Sequence, residues 1–314
     1  MKIVVTDGYT LNPGDLSWDA LRNLGEVEVY DRTPEEAIVE RCRDAAIVLT
    51  NKVPLRKAVL DALPQLRLIG VTATGYNVID TEAAAAKGIT VCNVPAYGTA
   101  SVAQHSFALL LELTNAVGRH AASVAQGRWH RPSDWSYTLA PLTELSGKTM
   151  GIVGFGNIGQ QTARIARAFG MEVMYNSRSP KDTDLGTFAA LPELFGQSDV
   201  VSLHCPLTAD NTGFVNRQLL QRMKPTAFLV NTARGPLLNE QDVADALNEG
   251  RIAGAAVDVL STEPPEKTNP LLTAKNCIIT PHNAWMSREA RQRIMDLTIL
   301  NVQAYLDGQP VNKV

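Results

Sequence analysis

Thr149-Met150-Gly151-Ile152-Val153-Gly154-Phe155-Gly156-Asn157-Ile158-Gly159 is the stretch on which the reading of this chain turns. A short apolar run leads straight into three glycines spaced Gly-x-Gly-x-x-Gly, and residues 157–169 then carry a helical pattern. Strand, glycine turn and helix in that order have a mechanical logic. Gly154 permits a tight turn, Gly156 lets the backbone approach a pyrophosphate, and Gly159 allows close packing of helix on strand. The N–H groups at the helix start face the phosphates. A glycine turn with no ligand is the plainer alternative, and the strand and helix on either side argue against it. Gly154, Phe155, Gly156, Asn157, Ile158 and Gly159 are therefore candidate dinucleotide contacts.

Downstream of this motif, β-rich runs recur at 171–176, 199–206, 227–233, 253–259 and 277–282, separated by helical or irregular segments. The first of them ends at Asn176-Ser177-Arg178-Ser179, where a fingerprint of this kind places the carboxylate that binds ribose hydroxyls. No carboxylate is present. An arginine with two small hydroxyl residues accommodates a 2'-phosphate, so Ser177, Arg178 and Ser179 lean towards NADP(H) over NAD(H). The competing reading is that Arg178 is an ordinary solvated arginine. Gly147-Lys148-Thr149 imitates the end of a phosphate loop, but Leu142 stands where that motif needs its first glycine, so it reads as a turn into the next strand.

Upstream, the runs 2–6, 45–50, 66–74 and 89–94 are continuously apolar, as in parallel strands covered on both faces. Segments 34–44, 54–63 and 80–88 between them open on Pro or Asp, and the last closes on Gly88, which marks crossover helices. The chain is thus predicted to be α/β, in two successive units of strands and crossover helices. A length of 314 residues at 45% hydrophobic composition favours two domains over one. A helix is expected at 99–117, then an irregular arm holding Trp129, Pro132, Trp135 and Pro141, and a final helix at 287–307 that returns to the first domain. Such a return makes the first domain discontinuous in sequence.

Composition excludes several classes. With 29 basic and 32 acidic residues the formal charge is -3, which gives no footprint for nucleic acid or an anionic membrane surface. No apolar run approaches the ~20 residues of a membrane span, and the start of the chain lacks a signal-peptide pattern. The four cysteines, Cys42, Cys92, Cys205 and Cys277, are widely spaced and form no CxxC pair. Reduced thiols in a soluble, cytoplasmic protein fit this better than disulfides or a metal site, and no metal is expected.

Chemistry calls for groups beyond the glycine turn. Hydride transfer to a ketone needs a proton donor, a positive charge for a neighbouring carboxylate, and a group to orient the donor. His282, Arg234 and Glu263 match those needs, each lying just after a predicted strand, where ligands bind in open α/β sheets. Taken singly, His282 also reads as a structural histidine and Glu263, before Pro264, as part of a turn.

Together these segments resemble the D-isomer-specific 2-hydroxyacid dehydrogenases, and within them the glycerate dehydrogenase and hydroxypyruvate reductase group. The likeness spans the chain and rests on residues 74–80, 93–95, 154–159, 204–208, 231–235, 258–264 and 281–285. It implies two doubly wound parallel-sheet domains, a Rossmann cofactor domain of 99–283 inserted in a flavodoxin-like substrate domain of 1–98 with 284–314, with the active site in the cleft between them. In that family pattern Arg234 binds substrate, His282 is general acid or base, and Glu263 pairs with His282. Backbone around Ala73, Thr74 and Gly75 would hold the substrate carboxylate. Asp258 would meet the nicotinamide carboxamide, although it also reads as a turn cap. Thr232 and Ala233 would lie along the cofactor, and Cys205, Pro206 and Thr212 on its adenosine side. Trp285 reads equally as a ring bordering the substrate pocket or as a packing residue.

The implied function is exchange of hydride between the cofactor and a small D-2-hydroxyacid or 2-ketoacid, with hydroxypyruvate or glyoxylate first and D-lactate next. The family implies a homodimer through the cofactor domain, with the arm at 120–145 as a contact. A nicotinamide-sensing corepressor-like binder and a hydrolase holding NAD are the readings from other classes. Two departures from the pattern stand out: the missing acidic residue near Arg178, and Gln104 where many relatives carry Glu.

Overall fold

The computed structural model describes residues 1–130 and 134–314. Pro132 of the anticipated arm lies outside the described residues. The chain divides into two compact units, Met1–Gly98 with Trp285–Val314, and Thr99–Ala284.

The first unit is a five-stranded parallel sheet of β1 (Lys2–Val5), β2 (Glu26–Val29), β3 (Ile47–Thr50), β4 (Leu68–Val71) and β5 (Thr90–Cys92), ordered β2-β1-β3-β4-β5. The register runs Ile3 to Ile47 and Ile47 to Leu68. All side chains of β3 and β4 are buried because helices cover both faces. The helices are α1 (Asp19–Arg22), α2 (Ile38–Cys42), α3 (Lys57–Asp61), α4 (Thr81–Ala86) and, from the chain's end, a helix at Arg288–Leu306. Ile38, Leu60 and Leu63 pack on Val48 and Ile69, while Ile294, Met295 and Val302 pack on Ile3, Ile47 and Leu68 across the sheet. Each such side chain removed from water is worth about 1.5–3 kcal/mol. Strand β2 has no counterpart in the predicted runs. It is an edge strand of sequence EVEV, half in solvent, so its glutamates hide the apolar signal.

The second unit holds β6 (Thr149–Val153), β7 (Glu172–Asn176), β8 (Thr187–Phe188), β9 (Val200–Leu203), β10 (Phe228–Asn231), β11 (Gly254–Val257) and β12 (Cys277–Ile279). They form one parallel sheet, ordered β12-β11-β10-β9-β6-β7-β8. The order reverses between β6 and β9, the arrangement that opens a crevice at the carboxyl ends of the strands in dinucleotide-binding sheets. Helices α5 (Thr99–Asn115), α6 (Val117–Ala125), α7 (Asn157–Ala168), α8 (Leu191–Gln197), α9 (Arg217–Leu220) and α10 (Glu240–Asn248) accompany it; the C-terminal helix Arg288–Leu306 is α11. The helix expected to reach 117 stops at Asn115, because Ala116 turns left-handed with φ 47°, and α6 then occupies part of the anticipated irregular arm. Among the described residues, no helix is long and apolar enough to cross a membrane.

Candidate functional site

The glycine turn fits a dinucleotide on its own geometry. Gly154 has φ +95°, and a Cβ there would lie 2.3 Å from the Cys205 backbone nitrogen. A Cβ on Gly159 would lie 2.2 Å from the Gly154 carbonyl oxygen, so α7 can sit this close to β6 only with glycine at that point. At Gly156 a Cβ would meet nothing within 4 Å. That open side lies at the start of α7, where Gly156 is the cap and offers no side chain to the first-turn N–H groups. Those N–H groups and the helix dipole make an anion seat.

Around this turn, Phe155 is buried and stacks on Tyr175 at 4.0 Å, which ties the turn to β7. After β7, the Ser177 hydroxyl donates to the Ser179 carbonyl at 2.6 Å. Arg178 is exposed and makes no hydrogen bond or ion pair within the described residues. Beyond β9, Thr208 and Asn211 cap each other, Asn211 donates to the Pro206 carbonyl at 2.8 Å, and the Thr212 hydroxyl donates to the Thr208 carbonyl at 3.3 Å. Cys205 begins this loop, and burial pushes its thiol up to about 11. Beside it His204 Nε2 shares a hydrogen bond with the Ser202 hydroxyl at 2.9 Å, while Nδ1 is sealed without a partner among the described residues. Burial pushes this imidazole down to about 4. All four cysteines are free.

The three groups proposed for chemistry lie on loops after strands of the second unit. His282 Nδ1 and Glu263 Oε2 are 2.6 Å apart, and the other Glu263 oxygen accepts from the Leu260 N–H at 3.0 Å. Glu263 is thus held at one end and grips the imidazole with the other, leaving Nε2 without a hydrogen bond among the described residues. His282 itself has φ 53°, a left-handed conformation for a residue with a Cβ. Its N–H donates to the Asp258 carbonyl at 2.8 Å. Arg234 is exposed after β10, its guanidinium donating to the Ala233 carbonyl at 2.6 Å; Asn231 shapes this loop by donating to the Arg234 carbonyl and accepting from Ala233 N–H. Thr232 is buried, and its hydroxyl lies 2.9 Å from that of Ser106.

Asp258 is buried, at 1% exposure. One carboxylate oxygen accepts from the Thr280 hydroxyl at 2.6 Å and from Asn283 N–H at 2.9 Å; the other accepts from Ala284 N–H at 2.9 Å. His105 Nε2 lies 3.5 Å from this carboxylate and 3.2 Å from the Thr280 hydroxyl. Sequence reasoning did not single out Thr280, His105 or Ser106. The signal available was weak: polar residues on an otherwise apolar helix face.

In the first unit, Ala73, Thr74 and Gly75 follow β4. The Ala73 carbonyl accepts from Val94 N–H and the Thr74 carbonyl from the Asn93 side chain, and the Thr74 hydroxyl donates to the Val94 carbonyl. The N–H groups of all three make no hydrogen bond among the described residues, so successive amides are left to meet an anion. Trp285 is half-buried against the core of this unit, edge-on to Tyr97 with ring centroids 6.2 Å apart. Among the described residues no cluster of His, Cys, Asp and Glu could hold a metal ion.

A parallel sheet with a glycine-lined phosphate seat, and a carboxylate-gripped histidine at its strand ends, defines a nicotinamide-dependent oxidoreductase. Residues 107–284 match the family model described as D-isomer specific 2-hydroxyacid dehydrogenase, NAD binding domain. The chain is 50% identical to a hydroxypyruvate reductase from Blautia hydrogenotrophica, over 100% of this chain and 99% of the relative. It is 42% identical to a glycerate dehydrogenase from Methylorubrum extorquens, over 90% and 89% of the two chains. Among solved structures it is similar to an NADPH-dependent glyoxylate/hydroxypyruvate reductase from Sinorhizobium meliloti in complex with citrate, with a TM-score of 0.86, 29% identity and coverage of 100% and 97%. The chain belongs to the D-isomer-specific 2-hydroxyacid dehydrogenase family, and it is an NAD(P)-dependent enzyme of that family.

Proposed function

We propose that this enzyme reduces hydroxypyruvate or glyoxylate to the corresponding 2-hydroxyacid, with NADP(H) preferred over NAD(H). The observation that carries the reading is the His282–Glu263 pair at 2.6 Å, a proton donor oriented at Nδ1 with Nε2 left available. Names of relatives that cover nearly the whole chain support the substrate class. When bound, the nicotinamide supplies the hydride. His282 Nε2 delivers a proton to the carbonyl oxygen as it becomes a hydroxyl, and the Glu263 carboxylate at Nδ1 orients the ring for that transfer. Arg234 presents its fork of N–H donors to the carboxylate and carbonyl, stabilising charge as it grows on oxygen. Within the first unit, the free amides of Ala73, Thr74 and Gly75 are suited to bind a carboxylate.

For the cofactor, the α7 N-terminus behind Gly154 and Gly156 takes the pyrophosphate. Asp258 Oδ2, with one donor of its own, keeps a lone pair for the carboxamide beside Thr232 and Ala233. Cys205, Pro206 and Thr212 border the adenosine side. The exposed guanidinium of Arg178, with Ser177 and Ser179, meets a 2'-phosphate; the Sinorhizobium relative is described as NADPH-dependent. We further propose a cytoplasmic homodimer, supported by four free cysteines and by exposed tryptophans near the arm.

One assay tests the core of this. Initial rates with NADPH and NADH, and with hydroxypyruvate, glyoxylate and pyruvate, should be fastest with NADPH and one of the first two substrates. His282→Ala should lower kcat on the order of 10²-fold or more with cofactor binding kept. Arg178→Ala should weaken NADPH about tenfold more than NADH, as expected for a lost charged hydrogen bond. Unchanged turnover in the first variant refutes the proton-donor role, and equal weakening of both cofactors in the second refutes the 2'-phosphate contact.

A further inference from the structure

Helix α5 carries Ser101 and His105, four residues apart and so on one face, with Ser106 on the flank beside them. Each meets a loop that bears a group proposed for the reaction. The Ser101 hydroxyl donates to the Ala284 carbonyl at 2.7 Å, two residues beyond His282. Ser106 meets the Thr232 hydroxyl at 2.9 Å, two residues before Arg234. Between them, His105 Nε2 reaches the Thr280 hydroxyl at 3.2 Å.

We propose that His105 is a positioning residue for this reaction, closing a brace from α5 through Thr280 and Asp258 to the backbone on either side of His282. The direction of its hydrogen bonds follows from proton count. Thr280 has one O–H, and at 2.6 Å it goes to Asp258, which as a carboxylate can only accept. The remaining contact of Thr280 must therefore be received from His105, whose Nε2 carries the proton. Asp258 then gathers the Thr280 hydroxyl and the N–H groups of Asn283 and Ala284, with the His105 ring at 3.5 Å. Those two amides immediately follow His282, and the His282 N–H itself donates to the Asp258 carbonyl.

The consequence lies at His282. Its φ of 53° is a conformation that a side-chain-bearing residue keeps only when its surroundings over-determine it. Removing the His105 donor leaves the Thr280 hydroxyl free to rotate away from the buried carboxylate. Residues 282–284 then relax towards an ordinary backbone conformation. The imidazole swings with them, and displacement of about 1 Å at a reacting group costs on the order of 100-fold in rate.

This inference rests on His282 as the proton donor, so its test keeps the two apart. His105→Leu and Thr280→Val break the brace, while His105→Gln and Thr280→Ser keep a donor and a hydroxyl. Hydrogen–deuterium exchange in the protein without cofactor reads the brace directly, through the amides of Asn283 and Ala284. In His105→Leu these should exchange about tenfold faster or more. The kcat should fall 10- to 100-fold with the KM for cofactor within about twofold, and the Gln and Ser variants should recover most of both. Unchanged exchange and kcat in His105→Leu overturns the proposal. So does a loss that the Gln variant fails to recover and that follows global unfolding. If His282→Ala alone turns over normally, the proton-donor reading falls, and the exchange rates still decide whether the brace exists.

Discussion

Residue by residue, the site gains its properties from partners more than from residue type. Glu263 determines which nitrogen of His282 is engaged, and the donors around Asp258 make a buried carboxylate tolerable. His204 is the opposite case, a ring whose buried Nδ1 has no partner among the described residues. Burial holds it at about 4, against an ordinary value near 6.5. The unfolded chain therefore takes up a proton between those values that the folded chain refuses. Stability is fully present above pH 6.5 and falls as the pH drops towards 4, by on the order of 1–3 kcal/mol. Urea midpoints at pH 7 and pH 4.5 should differ less in His204→Gln than in the unmodified protein. Equal pH dependence in the two would remove His204 from the account.

Among the elements, the β6 turn and α5 contribute most to the site. The turn has no room for a side chain at two of its glycines. Gly154→Ala would combine a left-handed φ with a Cβ 2.3 Å from the Cys205 nitrogen, so β6 and the loop after β9 must separate. Cofactor affinity is expected to fall about 100-fold or more, with stability lowered by a few kcal/mol. Fluorescence titration with NADPH and a thermal melt measure both; a variant that binds and melts normally would show that the turn tolerates a wider spacing. Gly156→Ala meets nothing in the protein itself, so it should melt normally and lose affinity alone. The expected helix at 99–117 was legible in its apolar spacing, and its break at Ala116 was not, since nothing in alanine favours a left-handed conformation.

At the scale of the whole molecule, the chain forms two parallel sheets with different strand orders, one from residues 2–92, joined in its unit by the C-terminal helix α11, and one from the inserted stretch between. Val117 at 61% exposure, Trp129 at 54% and Trp135 at 88% leave apolar surface on the second unit near the segment proposed as a dimer contact. Sedimentation at micromolar concentration should give twice the 34.0 kDa chain mass, and Trp135→Glu should shift it towards the monomer. A monomer in the unmodified protein would end the dimer proposal.

The amino-acid sequence by itself determined the fold class and the glycine turn, and it singled out Arg234, Glu263 and His282 as candidates. Such features are local: strand periodicity, a fixed glycine spacing and residues that follow strands need no knowledge of distant partners. It also carried the edge strand β2 and the polar face of α5, though in a form that could not be read. Glutamates in a half-solvated strand look like loop, and a histidine in a helix announces no partner. Only the tertiary structure brought His105 to Thr280, 175 residues away, and Ser106 to Thr232. Hydrogen bonds of that kind depend on which strand ends the sheet order makes neighbours, and this order is a property of the packed chain that no short window contains.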